Sequence, residues 1–300
     1  MNEQSRQRLS DTRGNKKGVE FFRFWYKVWG YTHTKVMIWF VTFFYMLFDT
    51  EARRRVAPYI RHRFPKSGFL ARCRHAWCIF AHQGMCLLRQ EMYEEIGEEY
   101  EVTYDSALAE KIRFSDHAAV ILYSHFGPWQ VMMRSIGKHK NTVNIVAQPD
   151  LNRNVNKMKS FSGKNDTDCI RQVSPESGSL LFLQQALEND EFVTMMGDRN
   201  FEKNPLPVKF LGETAYFPIA AFHLAARMKC PLVCIFAHLQ DDKYVLEFCE
   251  AMYPELNGRN REHLRTYLEK YTGKLEKLCM EYPYDFFAMF DHWSFEQNEK

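Results

Sequence analysis

From residue 118 onward the sequence alternates short apolar runs with longer segments of helical periodicity. Apolar runs of about six residues are too short for helices, but they suit strands that are buried in a sheet. The predicted strands are Ala118–Tyr123, Val143–Gln148, Phe192–Gly197, Leu232–Ala237 and Tyr244–Cys249, and the predicted helices are Pro128–Gly137, Gly178–Glu188, Pro218–Lys229 and Arg259–Glu281. Strands separated by such helices are typical of an α/β fold, here a mixed sheet flanked by helices.

The first 48 residues differ in composition from the rest of the chain. Residues 1–18 are polar and basic, which predicts a flexible arm. Residues 19–48 are aromatic and apolar, but the uninterrupted apolar run, Val36–Phe48, is shorter than the ~20 residues needed to cross a bilayer. Aromatic residues beside basic ones are typical of a helix in the membrane interface, so we predict that residues 19–48 attach to a membrane surface. Burial of this segment against the rest of the protein is the alternative.

Residues 49–300 are predicted to form the α/β domain, which begins with helices at Thr50–Arg63 and from Gly68 to about Glu99. Residues 53–74 contain basic residues and no acidic one: Arg53, Arg54, Arg55, Arg61, Arg63, Lys66, Arg72 and Arg74. Such a cluster suits an anionic membrane surface, or it is simply a solvated helix face.

Charge and cysteine content exclude several classes of protein. A net charge of only +3 gives no support for a nucleic-acid partner. The eight cysteines form no CxxC pair, which predicts reduced thiols in a cytoplasmic environment. His75, Cys78 and His82 share a helical face, but packing is the favoured interpretation and we predict no metal and no cofactor. GxGxxG, GxxxxGK and GxSxG motifs are all absent from the sequence.

The first candidate site is the turn after the predicted strand Ala118–Tyr123. Residues 124–130 read Ser-His-Phe-Gly-Pro-Trp-Gln, which places His125 at the carboxyl end of a strand, where ligands bind in α/β sheets. A histidine at this position suits a general base that removes a proton from a hydroxyl or an amine. Gln130 lies one helical turn further on and is the predicted catalytic partner, while Gly127 and Trp129 are assigned to the substrate site.

Two further segments are candidates for the substrate site. Asp198, Arg199 and Asn200 follow the strand Phe192–Gly197 and are candidate substrate-binding residues, or they form a surface turn with a local ion pair. Residues 208–212, Val-Lys-Phe-Leu-Gly, precede a proline that opens a helix. They predict one wall of an acyl-chain groove or a packing unit.

These segments together resemble the lysophospholipid-type acyltransferases, and within them the bacterial lipid A late acyltransferases. The family motif is a strand that ends in His-x4-Asp/Glu, and here it reads His-Phe-Gly-Pro-Trp-Gln at residues 125–130. The family then has an aspartate after a later strand, as at 197–199, and a Phe-Phe-Gly-like block with its helix, as at 209–227. Residues 282–293 are similar to the closing Tyr-Pro-Glu-Gln-Trp segment of the family.

The resemblance, which covers about residues 19–293, implies a glycerolipid acyltransferase-like fold and an acyl transfer reaction. A fatty acyl group would move from acyl carrier protein or acyl-CoA to a lipid hydroxyl or amine, with His125 as the general base. The implied location is the cytoplasmic face of the bacterial inner membrane, with peripheral or monotopic attachment. Lipid A is the best-known acceptor in the family.

Gln130 departs from the family motif because it occupies the position of the acid. A glutamine oxygen can accept the imidazole N–H, but it has no charge to stabilise an imidazolium. Three interpretations are open: a working variant with an easier acceptor or with a second carboxylate such as Asp198, an engineered inactivating change, or a homologue that binds acyl carrier protein or lipid without turnover. A thioesterase, in which water is the acceptor, is a further alternative.

Overall fold

The computed structural model describes residues 16–96, 102–104, 118–130, 142–146, 170–174, 179–200, 202, 204–241, 243–258, 260–287 and 289–295. The helices are α1 (Lys16–Phe48), α2 (Thr50–Arg63), α3 (Phe69–Ile96), α4 (Ser179–Glu188), α5 (Ala220–Met228) and α6 (Arg265–Glu281). The strands are β1 (Val102–Tyr104), β2 (Val120–Tyr123), β3 (Val143–Val146), β4 (Ile170–Val173), β5 (Phe192–Met196), β6 (Leu206–Phe210), β7 (Glu213–Phe217), β8 (Leu232–Gln240) and β9 (Lys243–Phe248).

A mixed sheet forms the centre of the protein, as the sequence predicts. Its seven strands have the order β1-β9-β8-β2-β5-β3-β4, and the neighbours are parallel except for the antiparallel pair β8–β9. All four residues of β2 are buried, which explains why this strand is a continuous apolar run and not an alternating one. The predicted fold class is therefore confirmed.

The predicted elements agree with the observed ones except at some boundaries. The sequence did not predict β1, β4 or β7. Residues 1–15, 97–99, 131–137 and 147–148, which belong to the predicted arm, two helices and one strand, lie outside the described residues. Residues 16–18, assigned to the arm, are helical and belong to α1.

Two helices begin later than predicted, and side chains bind backbone amides at or just before the first residues of each. Asn260 Oδ1 accepts a hydrogen bond from Glu262 N at 2.9 Å, and a short 3₁₀ turn follows, so α6 begins at Arg265 and not at Arg259. Helix α5 begins at Ala220 and not at Pro218. Its first amide groups, those of Ile219 and Ala220, donate to the Glu202 carboxylate at 2.9 and 2.7 Å.

Residues 208–212 contribute a strand and a tight turn to a two-stranded antiparallel hairpin, β6–β7. The turn residues Leu211 and Gly212 have φ values of 49° and 88°, the left-handed conformation that a two-residue hairpin turn requires. Phe210 and Phe217 on the two strands are fully buried. Of the two predicted roles for residues 208–212, the hairpin therefore shows packing.

Helix α2 is anchored at both ends. Asp49 Oδ1 accepts a hydrogen bond from Ala52 N at 2.8 Å, which caps the amino terminus of α2. At the carboxyl terminus, the Arg63 guanidinium donates to the carbonyl oxygens of Cys279 and Met280, each at 2.9 Å. A cation at these carbonyls stabilises the end of α6 and fixes the basic helix against the domain.

Helix α1 packs along α3 and bends at one glycine. Gly30 has φ 73° and ψ −177°, which breaks the helical path. Beyond the bend, the Trp39 and Trp77 rings meet edge to face at 5.2 Å, and Trp77 Nε1 donates to the Trp39 carbonyl oxygen at 2.9 Å. Of the helices in the described ranges, none has the length and apolar character that a membrane span requires.

Candidate active site

Two adjacent parallel strands, β2 and β5, carry the candidate residues to the same edge of the sheet. Their last residues, Tyr123 and Met196, are register partners. His125 lies two residues beyond the first and Asp198 two residues beyond the second, so both emerge at the same level. The carboxyl ends of parallel strands are the usual place for a binding site in an α/β sheet.

The turn after β5 requires a glycine because a core tyrosine lies against it. Gly197 N continues the ladder by donating to the Tyr123 carbonyl oxygen at 2.8 Å. A Cβ at Gly197 would lie 2.9 Å from Leu122 Cδ1 and 2.9 Å from the Tyr271 hydroxyl, closer than real Cβ contacts. Because Gly197 has no side chain, the Tyr271 ring can pack directly against this turn.

The turn after β2 requires a glycine for two reasons. Gly127 has φ +52°, and a Cβ there would collide with the carbonyl oxygen of Ala237 on β8. The Gly127 N–H is not free for a substrate, because it donates to the Asp285 carbonyl oxygen at 2.7 Å. Gly127, a predicted substrate-binding residue, thus shapes the turn through its backbone.

The central contact of the site is a hydrogen bond between His125 and Asp198. The distance from Nδ1 to Oδ2 is 2.8 Å, and the exposed fractions of the two side chains are 14% and 0%. Because a carboxylate can only accept, the neutral imidazole carries its proton on Nδ1. The lone pair on Nε2 is then the group that can take a proton from a substrate.

Burial and charge set the protonation states of this pair. Burial would raise the pKa of Asp198, but the charges and hydrogen bond of His125, with Arg199 and His292, bring it below its ordinary value. Burial lowers the pKa of His125 from its ordinary 6.5; the Arg199 charge lowers it further, and Asp198 opposes both. At neutral pH the pair is therefore an ionised carboxylate beside a neutral imidazole, which is the state a general base needs.

Arg199 brings a positive charge to the same turn. Burial lowers the pKa of its guanidinium, the neighbouring Asp198 raises it, and Arg55 of α2 lowers it. Arg199 retains its charge at neutral pH because an arginine pKa lies far above 7. Helix α2 therefore adds one cation near the strand-end site.

Trp129 and Gln130 directly follow the His125 turn and have helical conformation. The Trp129 ring lies 5.8 Å from the imidazole at an angle of 70°, and 5.6 Å from the Tyr123 ring. Both residues are partly buried. Within the ranges that the structure describes, no hydrogen bond joins Gln130 to His125. The sequence predicts that Gln130 accepts the hydrogen bond from the His125 imidazole. In the structure, Asp198 accepts that hydrogen bond.

Asn200 makes a hydrogen bond within its own turn. Its Oδ1 accepts a hydrogen bond from Glu202 N at 2.9 Å, and its side chain is buried. Since Glu202 in turn caps α5, Asn200 fixes the connection between the β5 turn and that helix. The structure thus brings His125, Asp198 and Trp129 together, and it gives Asn200 a local contact.

One histidine at the site, His292, was not predicted from the sequence. His292 Nε2 donates to the backbone carbonyl oxygen of Asp198, and the His292 side chain is buried. The only signal in the sequence is a histidine between aromatic residues near the chain end, which also fits an ordinary packing residue.

The predicted helical face of His75, Cys78 and His82 does not gather into one cluster. His75 Nδ1 lies 3.1 Å from the Tyr284 hydroxyl, whereas His82 Nδ1 lies 2.6 Å from Asp285 Oδ1. Over the described ranges, no three His, Cys, Asp or Glu side chains are grouped so that they would hold a metal ion.

The chain matches a protein family in sequence and a solved structure in fold. The model of the family described as bacterial lipid A biosynthesis acyltransferase matches residues 94–294, more than half of the chain and the whole of the site above. No curated protein matches. A matching solved structure is the crystal structure of the 1-acyl-sn-glycerophosphate (LPA) acyltransferase PlsC from Thermotoga maritima, with a TM-score of 0.42 and 10% sequence identity, covering 82% of this chain and 96% of that chain.

Proposed function

Because the chain belongs to the bacterial lipid A biosynthesis acyltransferase family, and is an acyltransferase of this type, we propose that His125 and Asp198 carry out its acyl transfer. The donor is a fatty acyl thioester of acyl carrier protein or coenzyme A, and the acceptor is a lipid hydroxyl or amine. The observation that carries this proposal is the 2.8 Å hydrogen bond from His125 Nδ1 to the buried Asp198 carboxylate.

In the proposed mechanism, Nε2 of His125 removes the proton of the acceptor as its oxygen or nitrogen attacks the thioester carbonyl carbon. The tetrahedral intermediate then expels the thiolate, which breaks the carbon–sulfur bond. The imidazolium returns its proton to the leaving thiolate, so the histidine ends the cycle neutral. No acyl-enzyme forms.

Asp198 provides the charge that Gln130 lacks. A carboxylate at Nδ1 keeps the proton on that nitrogen and stabilises the imidazolium that forms during attack. A glutamine offers only a neutral oxygen or an amide. Of the three interpretations of Gln130, the position of Asp198 favours a working variant with a second carboxylate.

Arg199 is proposed to bind the substrate next to this pair. A guanidinium suits the developing negative charge on the thioester oxygen, or a phosphate of the lipid acceptor. Its placement in the same turn as Asp198 supports this role. The Trp129 ring, packed against the imidazole, is proposed to form the wall that keeps water from the thioester.

The exposed face of α1 is proposed to attach the protein to the cytoplasmic face of the inner membrane. Large apolar side chains on this helix remain exposed: Phe21, Phe24, Val28, Trp29, Val36, Phe40, Val41, Phe43, Phe44, Leu47 and Phe48. A contiguous apolar face of this kind marks an interaction surface. Exposed cations on α2, on α3 and in the turn between them suit anionic headgroups: Arg54, Arg61, Lys66, Arg72 and Arg74.

A product assay separates this proposal from its alternatives. The purified protein would be incubated with a radiolabelled acyl thioester of acyl carrier protein, or with acyl-CoA, and a total lipid extract. Labelled lipid supports the acyltransferase. Labelled free fatty acid would indicate a thioesterase, and label retained without turnover would indicate a binding protein. Omitting the lipid is the control, since only a thioesterase continues to release product without it.

A further inference from the structure

One segment near the chain end contacts both halves of the proposed catalytic pair. We call residues 283–287 and 289–293 the C-terminal strap. At its beginning, Asp285 O accepts from Gly127 N at 2.7 Å, and Phe287 N donates to His125 O at 2.6 Å. Phe126 and Phe286 form an antiparallel bridge between these two bonds. The strap therefore acts as a short strand that fixes the backbone of the His125 turn.

The other end of the strap reaches the second half of the pair. His292 Nε2 donates to the carbonyl oxygen of Asp198, and the His292 side chain is 1% exposed. The His292 carbonyl oxygen accepts a hydrogen bond from Tyr216 N on β7 at 2.7 Å. Aromatic rings enclose the imidazole, with centroids at 4.9 Å for Phe217 and 5.3 Å for Phe290.

Few other polar contacts hold the Asp198 carboxylate. Its Oδ2 bonds to His125, while Oδ1 is buried without a hydrogen-bond partner among the described residues. The orientation of the carboxylate therefore depends on its backbone, and His292 is the side chain that anchors that backbone. A carbonyl oxygen only accepts, so His292 must be protonated on Nε2, and burial lowers its pKa and keeps the ring neutral.

We infer that His292 is a positioning residue, which sets the distance between Asp198 and His125 through the backbone of Asp198. The strap contacts both the His125 turn and the Asp198 turn, so one segment fixes the backbone of both residues of the pair. This inference rests on the proposed function, because it assumes that His125 is the base and Asp198 its partner. It adds a residue that touches neither substrate nor the reacting atoms.

The test compares two substitutions at position 292 with a matched control on the same strap. His292→Phe keeps an aromatic ring but removes the donor, and His292→Gln places an amide donor at a similar reach. Trp293→Phe is the control, since it removes the bond from Trp293 Nε1 to Phe210 O at 3.3 Å, which does not involve the pair. Each variant is first checked by its melting temperature, and kcat and KM are then measured with labelled acyl donor and lipid extract across pH.

The expected result is that His292→Phe lowers kcat by about 10- to 100-fold with KM nearly unchanged, as for a displaced catalytic group. The acidic limb of the kcat/KM profile should move to lower pH, because the Asp198 charge raises the pKa of His125. The charged groups that face His125 are Asp198 and Arg199 from the β5 turn, with His292 behind Asp198. When Asp198 is displaced, burial and then the Arg199 charge lower the pKa of His125 with less opposition. His292→Gln should restore most of the rate.

Equal losses in His292→Phe and Trp293→Phe, or no shift of the acidic limb, would overturn the inference. Should His292→Phe fail to fold, His292→Gln alone decides: a rate as low as that of an Asp198 variant, at a normal melting temperature, contradicts the inference. If His125 and Asp198 variants themselves retained activity, the proposed function would fail. If those variants lost activity while His292→Phe did not, only the inference would fail.

Discussion

The Asp198 carboxylate is a charged group in the interior, whereas the aromatic face of α1 is an apolar surface exposed to solvent. Both are exceptions to the usual burial of apolar groups and exposure of charged ones. Asp198 is a fully buried acid, and burial of an unpaired charge costs several kcal/mol. Phe40 and Phe48 on α1 are 59% and 78% exposed, although large apolar side chains favour the interior. Each exception needs a partner that offsets its cost.

The two regions differ in where that partner comes from. Asp198 has its partner inside the chain, because His125 lies 2.8 Å away. The α1 face has none within the described residues, and we propose that lipid supplies it. We therefore interpret the buried pair as the candidate site of chemistry and the exposed apolar face as a candidate surface for lipid.

His125→Ala should lower kcat/KM for acyl transfer by about 10⁴-fold, because it removes the general base. The variant should still bind vesicles, since α1 keeps its exposed apolar face, but its melting temperature should fall because Asp198 loses the partner that offsets its burial. Activity would be measured with labelled acyl donor and lipid extract, and binding by vesicle flotation. A rate equal to that of the unsubstituted protein would show that the base is another group.

The double substitution Phe40→Glu and Phe44→Glu should lower binding to phosphatidylglycerol-containing vesicles by about 100-fold, because two exposed apolar rings leave the lipid. These rings lie 4.9 Å apart on the exposed face of α1. The matched control is Leu180→Glu with Leu181→Glu, which makes the same change on an exposed apolar pair of α4. Equal losses in both double variants would mean that α1 has no special role in attachment.

Acidification should slow the reaction. Burial and the Arg199 charge place the pKa of His125 below 6.5, so the imidazole is neutral at pH 7 and becomes protonated only in acid. Below this pKa, kcat/KM should fall by about tenfold per pH unit, because the protonated ring cannot act as a base. A profile measured from pH 4.5 to 8 checks this, and an acidic limb centred above pH 7 would contradict it.

The sequence predicted the fold and placed His125 at a strand end, but it did not predict which side chain contacts His125. Short apolar runs between helical segments indicate strands, so the central sheet followed from local pattern. Local pattern did not show that β2 and β5 are neighbours, because strand order depends on packing between residues 73 positions apart, such as Tyr123 and Met196. Without the register of Tyr123 with Met196, the sequence assigns Asp198 to the substrate and Gln130 to His125, and it leaves Asp198 as a second carboxylate near His125 as one of three open interpretations.

The family resemblance given on the sequence motifs is confirmed by the family model. The motif alone directs attention to position 130, where it expects an acid. A carboxylate that arrives from another strand is not visible in a motif, and the same is true of His292, which reaches Asp198 from the chain end. Long-range contacts of this kind are set by the tertiary structure.

The most direct test of the account compares kcat/KM for Asp198→Asn and Gln130→Ala in the same acyl transfer assay. Asp198→Asn removes the charge beside His125 and should lower the rate by about 10²- to 10³-fold, less than for amide hydrolysis because a thioester is more reactive. Gln130→Ala should stay within about threefold of the unsubstituted protein, because no hydrogen bond joins Gln130 to His125 in the described structure. The reverse order, with Gln130→Ala severely impaired and Asp198→Asn nearly unaffected, would contradict the assignment of Asp198 as the partner of His125.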